Sequence, residues 1–526
     1  MADYALDFGT SNTVVATWDG AGRPASVAIP DLSAPPGLTP PLVPSLVYVR
    51  DANQPSIWAG QEVLHQGLET GTNGRLFRAF KRGIGQAVTG DLPLVDGRPV
   101  SWEQVGAWFL GRLWAKLRQS NAEPVDALVL TVPVDSFETY RHWLGQVVAD
   151  WPVPQVKLLD EPTAAALGYG LDQAELLLVI DFGGGTLDLA LVQLTRASQR
   201  LGFLLRWGER RFDQTSGQQV ETAKVVAKAG LNLGGTDMDV WLLDHFAQTH
   251  NLPKNTLTLR LVERLKIALS SQESATEAYF DDLELDTYEL TLGRPAFESL
   301  LAEQGLWARL DRVMGHLLEQ ARQSGFYPQD VEAVLLVGGT SQIPAVQTWI
   351  QRYFDPQRIK AGRPLEAIAH GALRLTAGGQ VQDILYHSYG IRYWDRRRNS
   401  HNWHTLIPAG QPYPMSQPVE LILGASAPGQ TRLELLIGEL GNPSETLEVY
   451  FEEGRLVTRA TAGATPVQTL NEPDATLATL DPPGQPGNDR LRLQFWVDGN
   501  RTLRVTVQDI LTGQTLIDQR PIVQLS

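Results

Sequence analysis

The sequence predicts an α/β fold followed by an all-β sandwich, and three observations carry that reading. Up to residue 380, short continuous apolar runs such as Leu128–Val132 and Leu176–Asp181 alternate with helical stretches. Buried strands covered by helices read this way. Beyond residue 390 the period drops to two, as in Val419, Leu421 and Leu423 or Leu433, Leu435 and Ile437. Pro and Gly punctuate this part, and no long amphipathic helix interrupts it, which is the texture of a sandwich. Lysine changes with it: the last is Lys360, while arginine continues.

Composition narrows the class. At 526 residues, with 43% hydrophobic and 20% charged residues, the chain fits several globular cores and not a disordered tail. A formal net charge of −15 argues against nucleic acid or an anionic membrane as partner. The absence of cysteine excludes a disulfide scaffold, thiolate metal sites and a cysteine nucleophile. Met1–Thr10 shows no basic-then-apolar export signal, and no apolar run reaches the ~18 residues of a membrane span. A cytoplasmic protein is the expectation.

In chain order, a first short strand ends at Asp7-Phe8-Gly9-Thr10-Ser11-Asn12. Proline-rich Asp31–Pro44 predicts an exposed loop. Ser101 reads as the cap of a helix whose apolar face is Val105, Trp108, Phe109 and Leu113. The run Leu176–Ile180 is a strand ending at Asp181-Phe182-Gly183-Gly184-Gly185-Thr186-Leu187-Asp188. The polar stretch Arg196–Gln219, with Arg206, Arg210 and Arg211, reads as a solvated insertion. Leu335–Val337 is a third strand, followed by Gly338-Gly339-Thr340-Ser341. In the β region, Asp498-Gly499 and Thr512-Gly513 signal hairpins, and Pro482-Pro483-Gly484 signals a break. His401 and His404, the one close histidine pair, read as surface residues.

Two strand-end turns of the form Asp, aromatic, Gly, then hydroxyl residue point to polyphosphate chemistry. Glycine lets backbone N–H groups approach phosphate oxygens. The hydroxyls of Thr10, Ser11 and Thr186 add donors. An Asp at each strand end, Asp7 and Asp181, suits Mg²⁺ held through its water shell. Neither turn has the Gly-Lys-Ser/Thr ending of a Walker loop. Glycine turns that merely end buried strands remain the alternative for either one alone.

With the Gly338-Gly339 segment, these turns resemble the ATPase fold shared by actin, sugar kinases and the seventy-kilodalton heat-shock chaperones. Further segments are similar to the heat-shock branch: Asp160-Glu161-Pro162-Thr163-Ala164-Ala165-Ala166, Thr131-Val132-Pro133 with Arg141, Asn232-Leu233-Gly234-Gly235-Thr236-Asp237, and Phe80-Lys81-Arg82-Gly83-Ile84-Gly85. Val381-Gln382-Asp383-Ile384-Leu385 resembles that family's linker, and Leu406–Gly410 the start of its β-sandwich.

The resemblance implies an actin-like, ribonuclease-H-like, two-lobed ATPase domain over residues 1–380, a linker at 381–390 and a substrate-binding sandwich at 391–526. It also implies a divergent member without the family's helical lid. ATP or ADP with Mg²⁺, and K⁺ as a further ion, would be the ligands. Asp7 and Asp181 would hold the metal. Lys81, Glu161, Asp181 and Thr186 would be catalytic. Gly9, Thr10, Ser11, Asn12, Gly183, Gly184, Gly185, Asp188, Gly234, Gly235, Gly338, Gly339 and Ser341 would surround the nucleotide. Glu263, Lys266 and Ser270, on one helical face, would meet the adenosine. Two positions depart from the pattern, since Ile267 and Gln342 stand where the family stacks adenine between arginines.

The implied activity is ATP hydrolysis coupled to binding of unfolded or extended polypeptide, with a J-domain protein and a nucleotide-exchange factor as further partners. A nucleotide-switched binding protein and a small-molecule kinase of the same superfamily are the alternatives.

Overall fold

The computed structural model describes residues 2–525 except 36–39, 55, 71–73, 86–87, 90–91, 122, 134–137, 171–175, 198–219, 282–285, 378–384, 386–387, 396–399, 409–410, 412, 416, 426–427, 441–445, 453–454, 462–466, 472–475, 487 and 499–500. Most of the Arg196–Gln219 insertion lies outside the described residues, as do 381–384 and 386–387 of the expected linker, whose last residues Ser388–Gly390 already belong to a strand. The chain divides into two compact units, Met1–Val381 with Val449–Thr458, and Gln382–Glu448 with Arg459–Ser526.

The first unit is built on two sheets of related design. In the first, the order is Gln155–Asp160, Val125–Val132, Ala2–Phe8, Asn12–Trp18, Pro24–Ser26. In the second it is Val220–Leu231, Leu187–Ala197, Leu176–Phe182, Ala333–Val337, Ile359–Lys360. Each central strand, Ala2–Phe8 or Leu176–Phe182, pairs antiparallel with the strand that follows it and parallel with a later one. A parallel pair needs a crossover, which puts helices over the sheet. Both central strands are therefore largely buried, Leu176–Ile180 as an unbroken apolar run and Tyr4–Leu6 as a short one. Each sheet has its own core, one around Phe8, Phe80, Phe109 and Leu130 and the other around Ile180, Phe182, Leu265 and Met314.

Local signals place the covering elements. Helix Trp102–Ser120 starts at Ser101, whose hydroxyl accepts from Gln104 N while the Gln104 side chain accepts from Ser101 N. Val105, Phe109 and Leu113 are buried as the spacing requires, and Trp108 is half-buried. Each fully buried apolar side chain of this kind is worth about 1.5–3 kcal/mol. Asp31–Pro44 departs from the expectation of an exposed loop. Leu32 and Val43 are fully buried in the first core, so the described ends of the proline-rich segment are anchored there.

Two helices exchange sheets. Helix Glu161–Tyr169 follows the edge strand of the first sheet yet packs against Leu176–Phe182 and Ala333–Val337 of the second. Helix Ala367–Arg374 follows the second sheet yet packs against Ala2–Phe8, Asn12–Trp18 and Pro24–Ser26 of the first. They cross backbone to backbone. A Cβ on Gly371 would lie 1.7 Å from the Ala164 carbonyl oxygen, and one on Gly168 would lie 1.9 Å from that of Ala367.

The second unit is all-β. One four-stranded sheet has the order Ser400–Ile407, Ser388–Asp395, Ile437–Leu440, Val467–Thr469, and another the order Val419–Gly424, Asp489–Val497, Thr502–Asp509, Thr515–Gln524. Both contribute to one core, which includes Tyr389, Ile407, Ile437, Leu493, Phe495 and Val505. The strands flanking Asp498 and those flanking Gly513 pair antiparallel, as their hairpin signals require. The run Leu433, Leu435, Ile437 is not one strand, because Gln430–Glu434 and Ile437–Leu440 join different sheets. Pro482-Pro483-Gly484 does not break the chain either. It ends strand Thr476–Gly484, whose one strand partner among the described residues is Gln430–Glu434, and an edge tolerates proline because no second neighbour needs its missing N–H.

Candidate functional site

The two Asp turns of the first unit meet face to face. A Cβ on Gly184 would fall 2.0 Å from Ser11 Oγ, and one on Gly185 would fall 2.8 Å from Thr10 Oγ1. Thus residues 9–12 and 183–186, nearly two hundred positions apart, line the same narrow cleft. Gly9, Thr10, Ser11, Asn12, Gly183, Gly184 and Thr186 are all partly exposed there.

The first turn is braced by side chains. Thr131 Oγ1 donates to Asp7 Oδ1 at 2.8 Å. Ser45 Oγ donates to the Gly9 carbonyl at 2.7 Å, and Ser45 N donates to that of Ser11 at 2.8 Å. The second turn is braced by backbone N–H groups and threonine hydroxyls. Gly183 O accepts from Gly235 N at 3.1 Å and Thr340 Oγ1 at 2.8 Å, and Gly184 O accepts from Thr236 N at 2.8 Å. Gly338 has φ 79°, and a Cβ there would lie 2.7 Å from Asp181 Oδ1. Only glycine permits that backbone next to the carboxylate.

At the base of the cleft Lys81 Nζ bonds Glu161 Oε1 at 2.9 Å, both side chains nearly buried. Lys81 lies in the helical turn Phe80–Gly83 and sits 5.6 Å from the Phe8 ring centroid. Glu161 is the first residue of its helix, fixed there by Asp160, whose carboxylate accepts from Thr163 N at 2.7 Å. Burial disfavours the Lys81 ammonium, but the Glu161 and Asp7 carboxylates outweigh it and hold the lysine protonated. Asp7 is pushed up to about 7, chiefly by burial and then by Glu161, with Lys81 and the Thr131 hydrogen bond opposing. Burial also raises Asp181 well above the carboxylate range, and Glu161, Asp188 and Asp7 raise it further.

Among the described residues, Asp7, Glu161 and Asp181 all lie within electrostatic reach of Lys81, and Asp188 adds a further carboxylate beside Asp181. Such a set is short of positive charge, and a divalent cation fits that deficit. Among the described residues no three acidic or histidine groups converge closely enough to hold a metal by themselves. A cation here would therefore complete its shell with water and phosphate oxygens, as Mg²⁺ prefers.

Arg82, which the motif reading passed over as a neighbour of Lys81, reaches Thr236 Oγ1 at 3.3 Å and Asp237 Oδ2 at 3.3 Å. It ties the Phe80–Gly83 turn to the Gly234-Gly235 turn. Ser45 and Thr131 also escaped the sequence reading, because a lone hydroxyl in an apolar run carries no pattern.

The residues expected at adenosine divide. Lys266 is buried, its ammonium held by Asp239 Oδ1 at 2.7 Å and the Gly235 carbonyl at 2.9 Å. Ser270 Oγ donates to Lys266 O at 3.2 Å, and Ser341 Oγ donates to Gly338 O at 2.7 Å. Both hydroxyls shape their own turns. Glu263 stays half-exposed and pairs with Arg78 at 3.6 Å. Burial pushes Asp239 up to about 7, Glu263 adding to the shift and Lys266 and Arg78 opposing it. Ile267 is 59% exposed, and Gln342 is exposed as well.

The turns, the Lys81–Glu161 pair and the Gly338-Gly339 turn define the class. The Hsp70 protein family model matches residues 92–201 and 221–396, more than half of the chain, and the chain belongs to the Hsp70 family. It is similar to chaperone protein dnaK1 of Synechocystis sp., 28% identical over 449 residues, a match that covers 80% of this chain and 56% of that one. The chain thus spans a little over half the length of this curated relative. The family-model match begins after the first Asp turn and after Lys81. No helix among the described residues is long and apolar enough to cross a membrane.

Proposed function

We propose that the first unit is an actin-like, two-lobed ATPase that binds ATP or ADP with Mg²⁺, and that hydrolysis governs binding of extended polypeptide by the β unit. The observation that carries this is the meeting of two Asp–Phe–Gly turns, one from the centre of each sheet, above a buried Lys–Glu pair. Asp7 and Asp181 hold the hydrated metal, which offsets phosphate charge when bound. Gly9, Thr10, Ser11 and Asn12 from one side and Gly183, Gly184, Gly185 and Thr186 from the other present backbone and hydroxyl donors to the phosphates. Gly234, Gly235, Gly338 and Gly339 shape the nucleoside side, with Glu263 as its accessible polar group. Lys266, Ser270 and Ser341 hold that side in shape from behind.

Hydrolysis of this kind needs positioning and charge stabilisation more than covalent work. Lys81 supplies a fixed positive charge to the terminal phosphoryl group. Glu161 accepts a proton-side hydrogen bond from the attacking water, and Asp188 supports it. In the β unit, strand edges of the sandwich offer main-chain hydrogen bonds to an extended segment. J-domain and exchange-factor partners, a K⁺ ion and a cytoplasmic setting belong to the same reading.

The test is nucleotide affinity and single-turnover ATP hydrolysis, with and without an unfolded peptide. Mg²⁺-dependent turnover that peptide stimulates supports the proposal. Exposed Ile267 and Gln342, in place of stacking arginines, favour a second reading in which nucleotide acts as a switch with little hydrolysis. Tight ATP binding with no turnover would select that reading.

A further inference from the structure

Tyr140 is a buried phenol that none of the roles above uses. It lies in helix Glu138–Val148 and is 4% exposed. Its hydroxyl has no hydrogen-bond partner among the described residues. A hydroxyl taken out of water without a partner carries its desolvation cost uncompensated, so such groups call for a physical reason.

Its position supplies one. The Tyr140 ring is 5.5 Å from that of Trp143, the Trp143 ring is 6.5 Å from that of Phe8, and Lys81 Nζ is 5.6 Å from the Phe8 centroid. Phe8 follows Asp7 directly, so Tyr140 and Lys81 border the same aromatic cluster at the base of the first turn. Trp143 is itself locked, donating through Nε1 to the Glu103 carbonyl at 3.0 Å, and this fixes the ring beside it. Burial raises the Tyr140 pKa, and Lys81, Glu161 and Asp7 are near enough to act on it. The phenol is a neutral O–H donor throughout the working pH range.

We infer that the Tyr140 hydroxyl is a second, uncharged donor to the terminal phosphoryl group, beside Lys81. This rests on the ATPase reading above. Neighbouring Lys81 already has Glu161 as a partner, whereas the phenol hydroxyl keeps its bond-forming capacity. A terminal phosphoryl oxygen supplies the acceptor that the protein omits.

The experiment compares wild type with Tyr140→Phe, which deletes one oxygen and keeps the ring. ATP and ADP affinities, single-turnover hydrolysis and the thermal midpoint of the nucleotide-free chain are measured in parallel. The expected result is ATP affinity weakened about 5- to 10-fold, hydrolysis slowed about 10- to 100-fold and ADP affinity unchanged. The nucleotide-free midpoint stays equal or rises, because an unpaired buried hydroxyl has gone. Equal losses for ATP and ADP, or no change in either ATP readout, would overturn the inference. A wild-type chain that binds neither nucleotide overturns the ATPase reading itself, before the variant is compared.

Discussion

Asp7-Phe8-Gly9 and Asp181-Phe182-Gly183 begin alike and are held in place by different forces. Around the first, side chains do the holding: the Thr131 hydroxyl on Asp7, the Ser45 hydroxyl on Gly9, and Lys81 with Glu161 below. Around the second, glycine backbone closes on backbone and on uncharged hydroxyls, with Gly183 and Gly184 accepting from Gly235, Thr236 and the Thr340 hydroxyl, and Gly338 pressed against Asp181. The first turn is compensated electrically and the second sterically. One short sequence pattern therefore conceals two sensitivities, to charge removal on one side and to an added methyl on the other.

The largest effect should come from the charged side. Lys81→Ala leaves Glu161 buried without its cation, a change that costs about 3–5 kcal/mol in comparable pairs. Denaturant unfolding should register that loss, and single-turnover hydrolysis should fall more than about 100-fold. Next, Gly338→Ala should cost about 3 kcal/mol, combining a left-handed backbone with overpacking. Gly339→Ala, whose Cβ would meet only Leu365 at 3.8 Å, should stay within about 0.5 kcal/mol. If the two alanines behave alike, the steric account of the second turn fails.

A smaller and opposite effect should follow from removing a carboxylate. Folded-state pKa values above the unfolded value stabilise the nucleotide-free chain below about pH 4, and that stability is lost as pH rises through about 7 for Asp7. Asp181→Asn should flatten the profile and raise stability at pH 8. Asp7→Asn should gain less, since the Thr131 hydrogen bond also favours its charged form. Both variants should lose the Mg²⁺ dependence of nucleotide binding. Last, Ile267→Arg lies outside both turns and should tighten adenine nucleotide by about 1 kcal/mol, through stacking on the base. Calorimetric titration with ATP and with inorganic triphosphate would show whether the gain belongs to the base.

Much of the fold could be read from period alone. Leu128–Val132 and Leu176–Asp181 became central buried strands because both faces are covered, and Ser101 capped its helix because Gln104 could reciprocate. The exceptions were tertiary. Asp31–Pro44 is polar and proline-rich in sequence, but Leu32 and Val43 find a core, and packing outweighs local composition. The two-residue alternation through Leu433 and Ile437 hid a change of sheet, which periodicity does not register. In the site, glycine turns and the Lys81 and Glu161 motifs were legible because their spacing is local. Tyr140, Ser45 and Thr131 were not, since each gains its meaning from a contact far away in sequence. Lys266 shows the converse: its motif position was legible, while the Asp239 carboxylate that occupies its ammonium was not.

The glycine crossing of helices Glu161–Tyr169 and Ala367–Arg374 has a mechanical consequence. Helix pairs usually resist rotation because ridges of side chains seat in facing grooves. Where glycine faces a carbonyl there is no ridge to seat, and the two backbones close to direct contact instead. Glu161, at the tip of the first helix, directly follows Asp160 at the end of the first sheet's edge strand, so the seat of this crossing also sets the footing from which Glu161 meets Lys81. A methyl on Gly371, 1.7 Å from the Ala164 carbonyl oxygen, would force the helices apart and shift that footing.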